Sequence, residues 1–252
     1  MPSSSYNTRA CAHRGDSYCA PENTLPAFEL ALAKGAAQVE FDVRATRDGE
    51  LVVIHDRTVD RTTDGTGEVS ALTLSELRSL DAGAWKDPHY AGTRIPLLAE
   101  VLSLMRPGVL VNCQLYVGPE HVEQVIGRIR AHGLLGQAFL ACGAAQMTEA
   151  RRVEPRLRVC NLEGQRGPDS DYPQRVIASG AQFIQLCGWA DCMADVVKEL
   201  HDHGITVNFF GTEDPVLMRR LIEAGVDYVL TDHLDLMHAV MQEYGIAPTP
   251  VG

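Results

Sequence analysis

Alternating strands and helices over most of its length predict a single (β/α)8 barrel for this α/β chain, and three observations carry that expectation. The chain has 252 residues, close to the roughly 250 that one such barrel uses. Eight short apolar runs are each followed by a stretch with helical periodicity. Gly133, Gly180, Gly204 and Gly225 each close a helix just before the next strand. A doubly wound open sheet is the alternative fold. No repeat or low-complexity linker divides the chain, so one domain over residues 1–252 is expected, with a small insertion at about 57–94 after the second barrel strand.

The elements follow in order. Thr8–His13 reads as the first strand. Asn23 or Thr24 offers a helix cap and Pro26 suits the first turn. Leu25, Phe28 and Leu32 form an apolar face that Gly35 ends. Gln38–Val43 is the second strand; Asp48-Gly49 signals a hairpin turn, and Leu51–His55 returns as an extra strand. From Arg57 to Arg94 the rhythm stops in dense turn residues, a small capped helix (Thr73–Arg78) and a Trp85–Tyr90 loop, read as a flap over the barrel mouth. Alternation resumes with helix Leu97–Met105, strand Val109–Tyr116 and helix Glu120–His132. Next come strand Ala138–Cys142 and helix Gln146–Val153, then strand Arg158–Leu162 and helix Pro173–Ser179. Strand Gln182–Cys187 precedes helix Ala194–His203, and strand Thr206–Phe210 precedes helix Pro215–Ala224. Strand Tyr228–Thr231 and helix Leu234–Tyr244 close the series.

Composition limits the partners. A net charge of −11 argues against nucleic acid or an anionic membrane as the main partner. No apolar run approaches the roughly 18 residues of an integral membrane segment, and the N-terminus lacks the features of a secretory signal. Seven cysteines show no metal-ligand spacing. Cys11, Cys113, Cys142, Cys160 and Cys187 fall in predicted strands, which reads as buried free thiols and a cytoplasmic protein. Oligomeric state is not readable from the sequence.

The chemistry concentrates between Ala12 and Asp56. Glu40 and Asp42 are two apart on a strand, so both side chains leave one face and can aim at one cation. Carboxylates without neighbouring thiolates favour a hard cation, Mg²⁺ or Ca²⁺. His13 and His55 each end a strand, where imidazole suits acid–base work near neutral pH. Arg14 presents a planar fork for a phosphate oxygen. A transition-metal site with both histidines as ligands is the alternative for the same residues. The histidines at 89, 121, 132, 201, 203, 233 and 238 are taken as surface residues.

His13-Arg14-Gly15, Pro21-Glu22-Asn23-Thr24, Glu40-Phe41-Asp42, His55-Asp56 and Arg61-Thr62-Thr63-Asp64-Gly65-Thr66-Gly67, in that order over about 55 residues, resemble the glycerophosphodiester phosphodiesterase family. The resemblance implies a metal-dependent hydrolase that cleaves a small or lipid-derived glycerophosphodiester to glycerol phosphate and an alcohol. His13 and His55 would be its acid–base pair, and the substrate's own hydroxyl would attack phosphorus. Glu22 either orients Arg14 or joins the metal shell; Asp56 is a turn residue, a supporting residue or a ligand.

One position departs from the family pattern. Where the family usually carries Glu and Lys on its third strand, this chain has Gln114 and Tyr116, so the third metal ligand is expected to be the neutral Gln114. Glu163, at the end of the fifth strand, is a conceivable substitute carboxylate. Phe210 retains an aromatic of the seventh strand and is expected to touch substrate. Trp189 either stacks on substrate or packs as a rim aromatic. Two alternatives follow: a lyase that stops at a cyclic phosphate, or a repurposed, non-catalytic barrel that binds a phosphorylated ligand.

Overall fold

The computed structural model describes residues 6–250. Strand β1 (Arg9–His13) leads to helix α1 (Leu25–Ala33), then β2 (Gln38–Ala45) and β3 (Leu51–Val53). After the insertion, with its short α2 (Leu74–Leu77), come α3 (Leu98–Leu104), β4 (Leu110–Leu115), α4 (Val122–Ala131), β5 (Ala138–Cys142) and α5 (Ala144–Val153). The chain ends through β6 (Arg158–Asn161), α6 (Tyr172–Ser179), β7 (Phe183–Cys187), α7 (Met193–Asp202), β8 (Thr206–Phe210), α8 (Pro215–Glu223), β9 (Tyr228–Thr231) and α9 (Leu234–Glu243). All strands but β3 pair in parallel, and β1 joins both β2 and β9, which closes the eight-stranded barrel. The open-sheet alternative is thereby excluded. β3 pairs antiparallel to β2, with Arg44 opposite Val52, across the turn at Asp48-Gly49.

Alternation along β2 sorts its side chains. Val39, Phe41 and Val43 face the helices and share the main apolar core with Phe28 and Ala31 of α1 and Leu98 and Val101 of α3. The Phe28 and Phe41 rings meet edge to face at 5.9 Å. Gln38, Glu40 and Asp42 take the opposite face, inside the barrel. The barrel floor is apolar, with Phe139 and Phe183 stacked at 3.9 Å beside Leu110, Ala141 and Cys160. Above it lie four buried amides, where Asn112 donates to Gln185 and Asn208 to Gln38. The ionisable groups occupy the next level, at the C-terminal mouth.

Residues 57–94 build a small core of their own from Val59, Val69, Leu77 and Ala82, joined to Val52, Ile54 and Ile95. The expected capped helix is α2, where Thr73 and Glu76 form a reciprocal capping box. Lys86 Nζ donates to the Ser17 carbonyl and Tyr90 to the Cys19 carbonyl, fastening the flap to the β1–α1 turn.

Several local expectations change. Neither Asn23 nor Thr24 caps α1 with its side chain. Thr24 Oγ1 donates to the Pro21 carbonyl instead, and Asn23 turns toward Asp42. His238 is buried, because the inner stripe of α9 (Leu234, Met237, His238, Met241) recurs every three to four residues. His233 accepts from the Leu236 amide at the start of α9 and stacks on Tyr18. Cys187 is only part-buried, unlike the other four strand cysteines.

Candidate active site

The register brings the mouth residues together. His13 on β1 pairs with Glu40 on β2, and Asp42 pairs with Gln114 on β4. Glu40 and Asp42 are each 1% exposed. Glu40 accepts from the Arg14 backbone amide at 3.0 Å, and Asp42 accepts from Asn23 Nδ2 at 2.8 Å. Both partners rest on an unusual backbone: among the described residues, Arg14 and Asn23 are the non-glycine residues at positive φ, 58° and 57°. Such conformations cost about 1–3 kcal/mol each for a side chain larger than glycine's, with Asn among the more tolerant residues. Gly15 has no such freedom to vary, since a Cβ there would lie 2.6 Å from the Ala27 backbone. The turn after β1 is thus held by α1 in a shape that aims one backbone donor and one amide at the two carboxylates.

Each mouth histidine is held by an aspartate. His13 Nδ1 lies 2.6 Å from Asp232, just beyond β9, and Ser17 donates to the same carboxylate. Its Nε2 faces Glu40 at 4.0 Å, and Phe210 packs edge-on against the ring at 5.1 Å. Burial pulls the His13 pKa down, but the Asp232 hydrogen bond and the Glu40 charge outweigh it and leave the pKa raised. Asp232 is lowered: burial pushes it up, and the bond from His13 overcomes that. His55, two residues past β3, has Nδ1 2.7 Å from Asp56. Arg61 from the insertion grips Asp56 and Glu22 together, and Glu22 also accepts from Arg14. The Arg61 hydrogen bond is the main cause that holds Asp56 far below the ordinary carboxylate range. Asp56 and Glu22 therefore orient His55 and Arg14. Arg14 Nε lies 3.3 Å from Asp42 but lacks hydrogen-bond alignment.

The third-strand pair is engaged with itself and with His55. Gln114 Nε2 donates to the Tyr116 hydroxyl at 2.6 Å, and that hydroxyl lies 3.3 Å from His55 Nε2. Directing its amide nitrogen to Tyr116 leaves the Gln114 carbonyl as the oxygen on offer beside Asp42. Burial, then the charge of Asp42, pushes the Glu40 pKa well above the ordinary carboxylate range. Two crowded, buried carboxylates beside an amide carbonyl fit a hard divalent cation, which would neutralise them. Among the described residues no three His, Cys, Asp or Glu side chains cluster as metal ligands. Glu163 does not supply the missing carboxylate; it is exposed and accepts from the Ala144 amide at the start of α5.

Of the remaining sequence candidates, Phe210 reaches the site through His13. Trp189 is a packed rim residue with the Arg220 guanidinium 4.0 Å over one ring face, which covers that face against stacking on substrate. Asp232, Arg61 and the Asn23–Asp42 clasp escaped sequence reasoning. Asp232 did carry a signal, being a carboxylate just past the C-terminal end of a barrel strand. Arg61 and Asn23 carried none beyond membership of the motifs.

Residues 13–154 match the model of the glycerophosphoryl diester phosphodiesterase family. A glycerophosphodiester phosphodiesterase of Caldanaerobacter subterraneus subsp. tengcongensis is 32% identical over 250 residues, covering 94% of this chain and 99% of that protein. The crystal structure of a glycerophosphodiester phosphodiesterase from Agrobacterium tumefaciens superposes with a TM-score of 0.80 at 30% identity, covering 92% and 99% of the two chains. An Oleispira antarctica phosphodiesterase, in complex with its product sn-glycerol-3-phosphate, matches with a TM-score of 0.80 at 26% identity, covering 95% and 99%.

Proposed function

The chain belongs to the glycerophosphoryl diester phosphodiesterase family, and from that premise we infer that it is a phosphoric diester hydrolase that converts a glycerophosphodiester to glycerol phosphate and an alcohol. One observation carries the reading most directly. Two histidine–aspartate pairs, His13–Asp232 and His55–Asp56, stand at the same mouth as the Glu40–Asp42 carboxylates, His13 beside Glu40 and His55 beside Tyr116. Each aspartate engages Nδ1 and so directs Nε2 to proton transfer with substrate; at His55 the substrate would take the place of the Tyr116 hydroxyl, which lies 3.3 Å from Nε2. The complex of the Oleispira antarctica phosphodiesterase with sn-glycerol-3-phosphate supports the product.

Glu40, Asp42 and the Gln114 carbonyl would hold Mg²⁺ or Ca²⁺, which when bound neutralises phosphate charge. One histidine accepts the proton of the substrate hydroxyl as that oxygen bonds to phosphorus. The bond from phosphorus to the departing alcohol breaks, and the second histidine gives that oxygen a proton. Water then opens the cyclic phosphate, with the histidine roles reversed. Arg14, held by Glu22, would bind a phosphate oxygen. Phe210 buttresses His13 and bounds the substrate space.

The net charge of −11 suits a small or lipid-derived phosphodiester and disfavours nucleic acid. No helix among the described residues is long and apolar enough to cross a membrane. The seven free cysteines fit work in the cytoplasm.

Phosphorus NMR of glycerophosphocholine with the purified protein, with and without Mg²⁺ and Ca²⁺, tests the reading. Cation-dependent formation of glycerol phosphate is expected. A persistent cyclic phosphate would make the protein a lyase, and no turnover of any glycerophosphodiester with either cation would overturn the enzyme reading.

A further inference from the structure

The inward face of β2 continues past the carboxylates. Glu40, Asp42 and Arg44 alternate onto one side, as do Asn112, Gln114 and Tyr116 at the end of β4 and beyond. With Asp42 opposite Gln114, the next level outward is Arg44 beside Tyr116, about 6–7 Å farther along the strands. The contacts agree: the Arg44 guanidinium lies 4.7 Å over the Tyr116 ring. Arg44 Nε donates to the His55 carbonyl at 2.8 Å. Among the described residues its two terminal nitrogens have no hydrogen-bond partner and Arg44 belongs to no ion pair. Beside this pair opens a cavity of about 270 Å³, lined also by Arg57, Ser70, His121 and Glu120. Arg57 is neutralised by Glu68 at 2.9 Å, and Glu120 is largely exposed, 3.9 Å from His121. Among the described residues Arg44 is therefore the lining arginine with no carboxylate in direct contact, although the charges of Asp42 and Asp56 act on it from farther off.

We propose that this cavity is a subsite for an anionic group on the departing alcohol, bound by the free guanidinium edge of Arg44 with Tyr116 as the wall between it and His55. The proposal rests on the hydrolase reading and narrows its substrate class. The preferred glycerophosphodiesters carry a carboxylate or phosphate a few bonds beyond the scissile phosphorus. A planar guanidinium fixed by its Nε and its stacked ring presents two parallel donors, the geometry that carboxylate and phosphate oxygens accept. The spacing between the Asp42 and Arg44 levels suits a linker of two to four atoms. A positively charged alcohol such as choline would meet the like charge of Arg44.

Glycerophosphoserine and glycerophosphoethanolamine form a suitable test pair, since they differ only by a carboxylate. With the cation-loaded protein, kcat/KM should favour the serine diester by about tenfold or more, mainly through KM. Arg44→Met should collapse that ratio toward one. The ratio is the readout because any disturbance of His55 by the variant affects both substrates alike. Ser70→Trp, which fills the cavity and keeps Arg44, should reduce the same ratio. Glycerophosphoinositol compared with its inositol phosphate separates phosphate from carboxylate as the preferred anion. Equal kcat/KM for both members of both pairs in the unmutated protein overturns the subsite and leaves the hydrolase reading standing. If no diester is turned over, calorimetric titration of the first pair decides: equal affinities overturn the subsite, and tighter binding of the serine diester that Arg44→Met abolishes upholds it.

Discussion

His13 and His55 have similar surroundings, each with a carboxylate on Nδ1, and differ in what anchors that carboxylate. Asp232 is held by Ser17, and Asp56 by Arg61. His13→Ala and His55→Ala should each lower kcat by about 10²- to 10⁴-fold with cation affinity little changed. Loss of cation binding in calorimetry would make that histidine a ligand instead. Asp232→Asn should lower kcat on the order of 10²-fold while KM holds, because the amide cannot keep His13 in the same tautomer and charge state. A matching rise in KM would instead assign Asp232 to substrate binding. At Gln114 the expectation is that Gln114→Glu supplies a third carboxylate and tightens Mg²⁺ or Ca²⁺ binding. Equal calorimetric affinities for the variant and the unmutated protein would show that residue 114 does not face the cation.

The insertion reaches the charged groups of the site through Arg61, while Lys86 and Tyr90 fasten the neighbouring β1–α1 turn. Arg61 links Asp56 to Glu22, and these in turn hold His55 and Arg14. The insertion's small core is centred on fully buried Leu77 and is separate from the main barrel core. Leu77→Ala should cost about 2–5 kcal/mol. The loss should be local, with faster amide hydrogen exchange in residues 57–94 and unchanged protection in β4 to β9. Turnover should fall with it, as Arg61 loses its fixed position. Uniform loss of protection across the chain would mean that barrel and insertion unfold as one unit. Nothing in the turn-rich sequence revealed this, since a flap and an orienting element have the same composition.

For the molecule as a whole, the mouth sets how stability depends on pH. Glu40 has a raised folded-state pKa, so its contribution is fully present below the ordinary carboxylate range and is lost as pH rises through the raised value. His13, also raised, loses its contribution in the same direction, above the ordinary imidazole range. Glu22, Asp56 and Asp232 are lowered; their contributions are present above the ordinary carboxylate range and lost as pH falls through the depressed values. In EDTA, Tm should therefore fall between pH 5.5 and 8.5, and again in strong acid. Mg²⁺ or Ca²⁺ should raise Tm more at pH 8.5 than at 5.5, because the cation replaces the proton that Glu40 otherwise keeps. Equal increments at the two values would remove Glu40 from the cation site.

The sequence by itself determined the barrel, because period-two and period-3.6 patterning follows directly from which faces are buried. It also singled out the candidate set of His13, Arg14, Glu40, Asp42 and His55, which lie close along the chain, on or just past β1, β2 and β3. Tertiary structure alone decided which groups complete that set. Asp232 is separated from His13 by 219 positions and meets it only because closing the barrel sets β9 beside β1. Asn23 has the composition of a helix cap, yet its left-handed backbone turns the amide onto Asp42. Glu163, past the end of its strand like the other mouth candidates, turns outward to α5, while Tyr116 turns inward to His55. A strand-end position fixes a residue's height on the barrel; its direction past the last ladder bond is set by neighbours that sequence spacing does not encode.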